Sequence, residues 1–455
     1  MQQKYDVVVI GSGIGGLGVA ALLSHWGYRS LVVEKLGRVG GRCSTEEYEG
    51  FKLPTGAVGI YYKGIEVEEI FKEVGAQLHL VDVPRLFYRL GGKDYEMPAK
   101  GSIRVALDII NKLGEDRAKM QGGIANVVDG EKMMTAFRQG IKEPEGEAGL
   151  TFKDWLLQYT DNELLHSIFD TIANTTCGAH SYEISASAVF TFFVGMGAAR
   201  NLGYAPKGNI VNVENLAKVV RANGDVWLNC PAKRILVRGK EAKGVLVLRN
   251  GNEVEIPCRV VISDVGLRAT VELAGEENFD EEYLRTMRVR VRPHPITMSF
   301  VASDRPLWPE SGEPAVLMLV GARRLTSVVP LSNISLELAP PGQHLMFAFG
   351  GPVSNEVHMN IELEQEQCLL DIKEQFPLFE KHGRILKMVS KDIDDEFPEA
   401  RTRVGLGMPV ETPVWNLYNV GDVTAAGGLT GVPSAAKSAR QVAEIIRKNF
   451  KPGQA

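Results

Sequence analysis

A chain of 455 residues is too long for one ordinary core, and 44% hydrophobic against 24% charged side chains is the balance of a soluble globular protein. A formal net charge of −5 with no basic stripe argues against nucleic acid as a partner. The five cysteines are scattered, odd in number and free of any C-x-x-C pair, which argues against a disulfide framework and a structural zinc site.

The first residues run into a strand with no charged leader and apolar stretch, and no run reaches about 18 uninterrupted apolar residues. The expectation is a cytoplasmic chain without a spanning helix. The apolar stretch Ala186–Ala199 reads most simply as a buried helix, with a pocket lining or a peripheral membrane contact as alternatives.

In chain order, Tyr5–Ile10 is predicted as a short buried parallel strand, Gly11–Gly16 as a tight turn, Leu17–Trp26 as an apolar helix ended by Gly27, and Ser30–Glu34 as a second strand. Together they make a βαβ unit. From about 65 to 205 helical patterns dominate: Val67–Val74, Ile103–Leu113, Lys132–Gly140, Phe152–Tyr159 and Asn162–Asn174. From about 206 the α/β style returns, with a helix Val213–Asn223 and strands Val226–Leu228, Ala232–Arg238, Ala242–Leu248, Val254–Ile256 and Arg259–Ser263. Strands Ile296–Ala302, Ala315–Val320, Ser335–Leu338 and His344–Phe349 and a helix Glu362–Phe376 follow. The chain closes with a strand Leu417–Val420, a glycine-rich loop and a helix from about Ser434 to Asn449.

This order predicts an α/β fold. A discontinuous Rossmann-like domain is expected from 1–64, 206–290 and 400–455. Into it are set a helical substrate or cap region, 65–205, and a substrate-domain sheet, 291–399.

Gly11-Ser12-Gly13-Ile14-Gly15-Gly16 has the spacing G-x-G-x-x-G between a strand and a helix. Gly11 permits the turn, Gly13 lets backbone approach a pyrophosphate, and Gly16 lets the helix pack close to the sheet, with the helix N-terminus facing the phosphates. Glu34 ends the second strand, 18 residues beyond Gly16, and suits ribose hydroxyls while disfavouring a 2′-phosphate. Lys35 follows it. Gly40-Gly41-Arg42 then offers backbone amides and a fixed cationic fork, an addition that a plain nicotinamide dehydrogenase does not need.

Glu34 followed by Gly40-Gly41-Arg42 resembles the extended nucleotide-binding signature of the flavin amine oxidase and phytoene desaturase superfamily. The segment Asn416–Asp422, continued by Gly427-Gly428-Leu429-Thr430-Gly431-Val432-Pro433-Ser434, looks like that superfamily's C-terminal flavin motif. The resemblance implies that Gly421 and Asp422 hold the ribityl–phosphate part and that Thr430, Gly431 and Val432 lie beside the isoalloxazine, where a helix N-terminus favours the charge of a reduced ring. Thr55–Gly59, with Ala57 and Val58, matches the loop under the flavin, and Leu228–Ile235, with Ala232, matches the strand whose backbone meets adenine. Pro206-Lys207-Gly208-Asn209 resembles a Pro-x-Gly-Gly stretch with Asn209 in place of the second Gly, and Val260–Asp264 resembles a buried strand on the nucleotide side. The likeness covers about 1–62, 206–266 and 400–450.

The implied cofactor is FAD. It is expected to be non-covalent, because no cysteine follows Cys368. No cluster has metal-ligand spacing, so no metal is expected. Tyr61, Tyr62 and His180 are the candidate catalytic groups, and Arg200 a candidate carboxylate anchor; packing or solvation is the ordinary alternative for each. The absence of an evident aromatic pair facing the flavin favours the phytoene desaturase side, with hydride transfer at N5 to or from carbon–carbon bonds of an apolar, lipid-like substrate. An amine oxidase and a flavin-binding scaffold or sensor without turnover are the alternatives. The electron acceptor and the oligomeric state stay open.

Overall fold

The computed structural model describes residues 5–83, 85–97, 111–112, 130–143, 149–198, 202–291, 293–308, 314–393, 407–424 and 429–453. Most of the predicted helix Ile103–Leu113 lies outside the described residues, as do Ala199, Arg200, Gly427 and Gly428. The chain divides into two compact units, Met1–Val81 with Ala198–Arg292 and Glu396–Ala455, and Asp82–Gly197 with Pro293–Asp395.

The first unit is built on a five-stranded sheet in the order Asp225–Trp227, Ser30–Val33, Val7–Ile10, Val260–Ser263, Leu417–Asn419. Every pairing is parallel. The three central strands are short and mostly apolar, and every residue in them is buried, as strands covered on both faces should be. Val7, Val9, Val32, Val260 and Ile262 enter one core, where Leu17, Val213, Leu216, Ala439 and Val442 meet them from the helices Ile14–His25, Ile210–Asn223 and Gly431–Asn449. Val8, Ile10, Leu31, Val33 and Val261 enter the other. There they meet a three-stranded antiparallel sheet (Ala232–Arg238, Glu241–Arg249, Asn252–Pro257) and the helix Leu267–Ala274. The strand order reverses between Val7–Ile10 and Val260–Ser263, and in open α/β sheets ligands bind outside the carboxyl ends of strands at such a point.

The second unit holds a seven-stranded sheet in the order Gly383–Lys391, Ile296–Ser303, His344–Gly350, Leu325–Pro330, Ala315–Leu319, Arg85–Leu90, Lys93–Met97. Its one parallel pairing joins Ala315–Leu319 to Arg85–Leu90. Cys368, Ile372 and Phe376, on or just past the helix Ile361–Gln375, pack in a core with Val301, Leu317 and Ala348. A separate aromatic cluster joins helices Gly130–Lys142, Phe152–Leu157, Glu163–Cys177 and Ala186–Ala198 through Phe137, Phe152, Trp155, Phe169 and Phe190. Among the described residues no helix is long and apolar enough to cross a membrane.

Three local expectations change. The opening helix begins at Ile14, so Gly15 and Gly16 lie inside its first turn. The predicted strand Ser335–Leu338 is instead a helical turn Leu331–Ile334 followed by a 3₁₀ turn Leu336–Leu338. There the Ser335 hydroxyl accepts the Glu337 N–H at 3.2 Å, a side chain-to-backbone bond that competes with a sheet ladder. The hairpin Arg85–Leu90/Lys93–Met97 falls inside the region expected to be helical. Its sheet partner, Ala315–Leu319, lies more than two hundred residues further along the chain, beyond the reach of local pattern.

Candidate functional site

Three strands of the first unit end at one edge, and each is prolonged by one ladder bond into a loop. Gly11 N donates to Val33 O (2.8 Å), Asp264 N to Ile10 O (2.8 Å) and Val420 N to Ser263 O (2.9 Å). The loops then turn sharply, with φ +94° at Gly11 and +116° at Gly421, a region that favours glycine. They also touch. A Cβ on Gly16 would stand 2.5 Å from Gly11 O, and one on Gly15 would stand 3.0 Å from Gly421 N. The first motif of the chain and the last therefore meet.

Arg42 ties them again. Its guanidinium donates to both oxygens of Asp422, at 2.5 and 3.1 Å, across 380 residues of sequence. The Asp422 side chain is 2% exposed and that of Arg42 28%, so the cation keeps an open face. Arg42 O accepts from Ala57 N (2.8 Å), and Asn209 Nδ2 donates to Ala57 O (2.8 Å), which brings the helix Ile210–Asn223 to the same place. Gly41 O accepts from Thr55 Oγ1 (2.9 Å) and Arg38 (3.2 Å). Val58 is partly exposed and Lys35 exposed.

Glu34 is buried. Its Oε2 accepts Ser12 N (2.9 Å) and Ser12 Oγ (2.6 Å), and its Oε1 accepts Leu36 N (2.8 Å). Three of its roughly four acceptor positions are thereby used, two of them to hold the glycine loop against the second strand. Thr430 begins the helix Gly431–Asn449, and Ser438 of that helix accepts Gly421 N at 2.9 Å. Gly431 has φ +61°, and a Cβ there would meet nothing within 4 Å. Val432 and, in part, Ile14 pack into the core on that side of the sheet. Ala232 begins the antiparallel sheet, opposite Val247.

The catalytic candidates fall in different surroundings. Tyr61, partly exposed, lies in a short strand opposite Leu202 and acts on the buried Tyr204, whose pKa is raised by burial and then by Tyr61. Tyr62 is a core residue whose ring packs on Gly203. His180 belongs to the second unit. Both of its ring nitrogens are engaged: Nδ1 with Asp170 Oδ2 (2.8 Å), Nε2 with Pro352 O (2.8 Å) and Asn174 Nδ2 (3.1 Å). Burial opposes the imidazolium, but Asp170 and the Pro352 carbonyl outweigh it and raise the His180 pKa. Tyr182 stacks on the ring, with centroids 4.9 Å apart. Such a ring clamps the loop at 352 to the end of helix Glu163–Cys177. Among the described residues no group of three or more His, Cys, Asp or Glu is placed to hold a metal.

The model of the flavin-containing amine oxidoreductase family matches residues 14–447. This chain belongs to that family. The flavin oxidoreductase is 28% identical over 308 residues to the all-trans-retinol 13,14-reductase of Danio rerio (59% of this chain, 49% of that one). It is 26% identical over 300 residues to the phytoene desaturase of Cercospora nicotianae (58% and 46%). It spans about half the length of these two relatives. An oxidoreductase from Methanosarcina mazei superposes with a TM-score of 0.80 at 25% identity, covering 96% of this chain and 99% of that one.

The cofactor of this flavin oxidoreductase is FAD, and the site has the chemistry for it. Two helices begin beside the converging loops, and their first N–H groups have no intrahelical acceptor. Arg42 supplies a cation with an open face. Glycines keep backbone rather than side chains at Gly11, Gly15, Gly16, Gly421 and Gly431.

Sequence reasoning passed over Asp264 and Ser12 as site residues. Asp264 had a signal: it is a carboxylate just past the fully buried strand Val260–Ser263, at the edge where the glycine loop begins. Ser12 had none, since the middle position of G-x-G is open to many residues.

Proposed function

We propose that this protein is an FAD-dependent oxidoreductase that removes or adds hydrogen across carbon–carbon bonds of an apolar, isoprenoid-like substrate, with FAD bound non-covalently. The observation that carries the reading is the pair of relatives matched over more than half of this chain, whose names, retinol 13,14-reductase and phytoene desaturase, both denote such chemistry on polyenes. In it, Glu34 meets the ribose, Gly13 to Gly16 and Arg42 face the pyrophosphate, Asp422 holds the ribityl–phosphate part, and Ala57, Val58 and Thr430 to Val432 line the ring.

When bound, FAD supplies a hydride-accepting or hydride-donating centre at N5. The chain's own residues orient it. The Arg42–Asp422 pair fixes the last loop against the first. The N-terminus of Gly431–Asn449 favours negative charge beside it. We assign substrate choice to the second unit. Its helix Ala186–Ala198 is apolar, and each CH₂ of a hydrocarbon buried against such surface contributes roughly 0.8 kcal/mol, so no charged anchor is needed. His180, held on both ring nitrogens, is assigned a structural role, and Tyr61 remains a candidate catalytic group.

The test is anaerobic. Oxidised protein is mixed with saturated isoprenoids and amines, and the chemically reduced protein with polyenes, while the flavin absorption near 450 nm is followed. Bleaching by an isoprenoid, or recovery of colour with a polyene, is expected. Bleaching by amines alone would sink this reading in favour of an amine oxidase, and no response to any compound would favour a flavin-binding protein without turnover.

A further inference from the structure

Asp264 stands where the strand order of the first unit's sheet reverses, one residue past Val260–Ser263. Its Oδ2 accepts the N–H of Gly16, the third residue of the helix Ile14–His25, at 2.9 Å. A carboxyl group thus already sits on a helix N-terminus, the kind of place whose free N–H groups and dipole draw anions. It is closely fitted there. A Cβ on Gly13 would stand 2.5 Å from Oδ2, one on Gly15 2.9 Å from Oδ1, and one on Gly421 3.2 Å from Oδ1. The side chain fills the space between the glycine loop and the Gly421 loop, the two segments expected to hold the phosphates.

An ionised Asp264 and a pyrophosphate would crowd like charge at one helix end. The neighbouring charges do not offset this. Arg42 is the cation named among the largest influences on Asp264, and it is already bidentate to Asp422. Glu34 and Asp422 add negative charge from the loops after the second and last strands. The first turn of the opening helix, Ile14–Leu17, carries no titratable side chain, and Arg268, the first charge of the following helix, is exposed. The last helix reaches Gly421 through Ser438, a neutral group, beside Lys437. Asp264 is partly buried, and loss of water around it is the largest influence on its carboxyl; this outweighs the Gly16 N–H and Arg42, is reinforced by Asp422 and Glu34, and pushes the group up to about 7.

We propose that Asp264 is a positioning residue that admits FAD only as the neutral acid, so that cofactor retention weakens as its proton is lost. The carboxyl keeps its bond to Gly16 in either state; what changes is the charge presented to the phosphates. This rests on the FAD site proposed above.

The test is dissociation of purified holoprotein on dilution, read as the recovery of free FAD fluorescence, between pH 6 and pH 8.5. For a group titrating near 7 the apparent Kd is expected to rise roughly thirtyfold over that range. Asp264→Asn keeps an acceptor for Gly16 without charge, and is expected to hold FAD with a Kd constant within about threefold. Asp264→Ser serves if the Asn variant fails to fold, and circular dichroism at both pH values checks the fold. A wild-type Kd that does not change with pH, or an Asn variant with the wild-type slope, overturns the proposal while leaving the FAD site standing. Wild-type protein that binds no FAD at any pH overturns both.

Discussion

The two units of this protein differ in how their chemistry is tied to the chain. In the first, residues hundreds of positions apart are locked together by short, partly buried polar contacts, Arg42 to Asp422 and Asp264 to Gly16, and Ser438 holds Gly421 over a shorter span. In the second, polar clusters such as His180 with Asp170 and Pro352 hold helix to loop, while the sheet around them is assembled by apolar packing. A nucleotide imposes fixed spacing on whatever binds it, so its site repeats as motif. The apolar substrate proposed for the second unit would impose only shape and surface, which many sequences can supply.

The same kind of substitution should therefore act very differently in the two units. Gly16→Ala places a Cβ 2.5 Å from Gly11 O, a backbone atom that cannot swing away. The expected result is the largest here, a loss of FAD affinity of roughly a hundredfold or more, measured by titration, because the turn must open by the few kcal/mol that overpacking typically costs. Affinity within about threefold of wild type would mean that the loop is not a close-packed cradle.

Next in size is Arg42→Ala, which leaves the Asp422 carboxylate buried without its cation. A fully buried pair broken in this way costs about 3–5 kcal/mol; the open face of Arg42 reduces that to about 2–3. Urea unfolding of the variant checks it, and adding Asp422→Asn should recover part of the stability but not the FAD. Full recovery of FAD binding would show that the pair is only a brace.

His180→Ala should lower stability by about 1–2 kcal/mol and leave the bound flavin's absorption unchanged. The effect has a pH sign. The folded-state pKa of His180 is raised, so its contribution is fully present below the unfolded value of about 6.5 and is lost as pH rises through the folded value. Wild type and variant should thus differ most at pH 6 and converge toward alkaline pH. A changed flavin spectrum would instead tie His180 to the cofactor.

The smallest effect belongs to Gly321→Ala. Gly321 has φ +77°, but a Cβ there would meet nothing within 4 Å, so only backbone strain of about 1 kcal/mol is expected, with FAD affinity intact.

The motifs that lead one to expect an FAD-binding domain are legible in the sequence. G-x-G-x-x-G after a buried strand, Glu34, Gly-Gly-Arg and the closing Gly-Asp are each local, because each is a backbone conformation or a single charge required at a set distance along a strand or helix. The structure adds what local pattern cannot carry: Glu34 holds Ser12, Arg42 faces Asp422 rather than standing alone, and Asp264 belongs to the glycine loop. The second unit was less legible for the same physical reason. The strand Arg85–Leu90 closes a local hairpin with Lys93–Met97 but joins the large sheet by pairing with Ala315–Leu319, and His180 is held by Pro352. Those partners are chosen by burial and hydrogen bonding across the fold, and no periodicity within a short window records them.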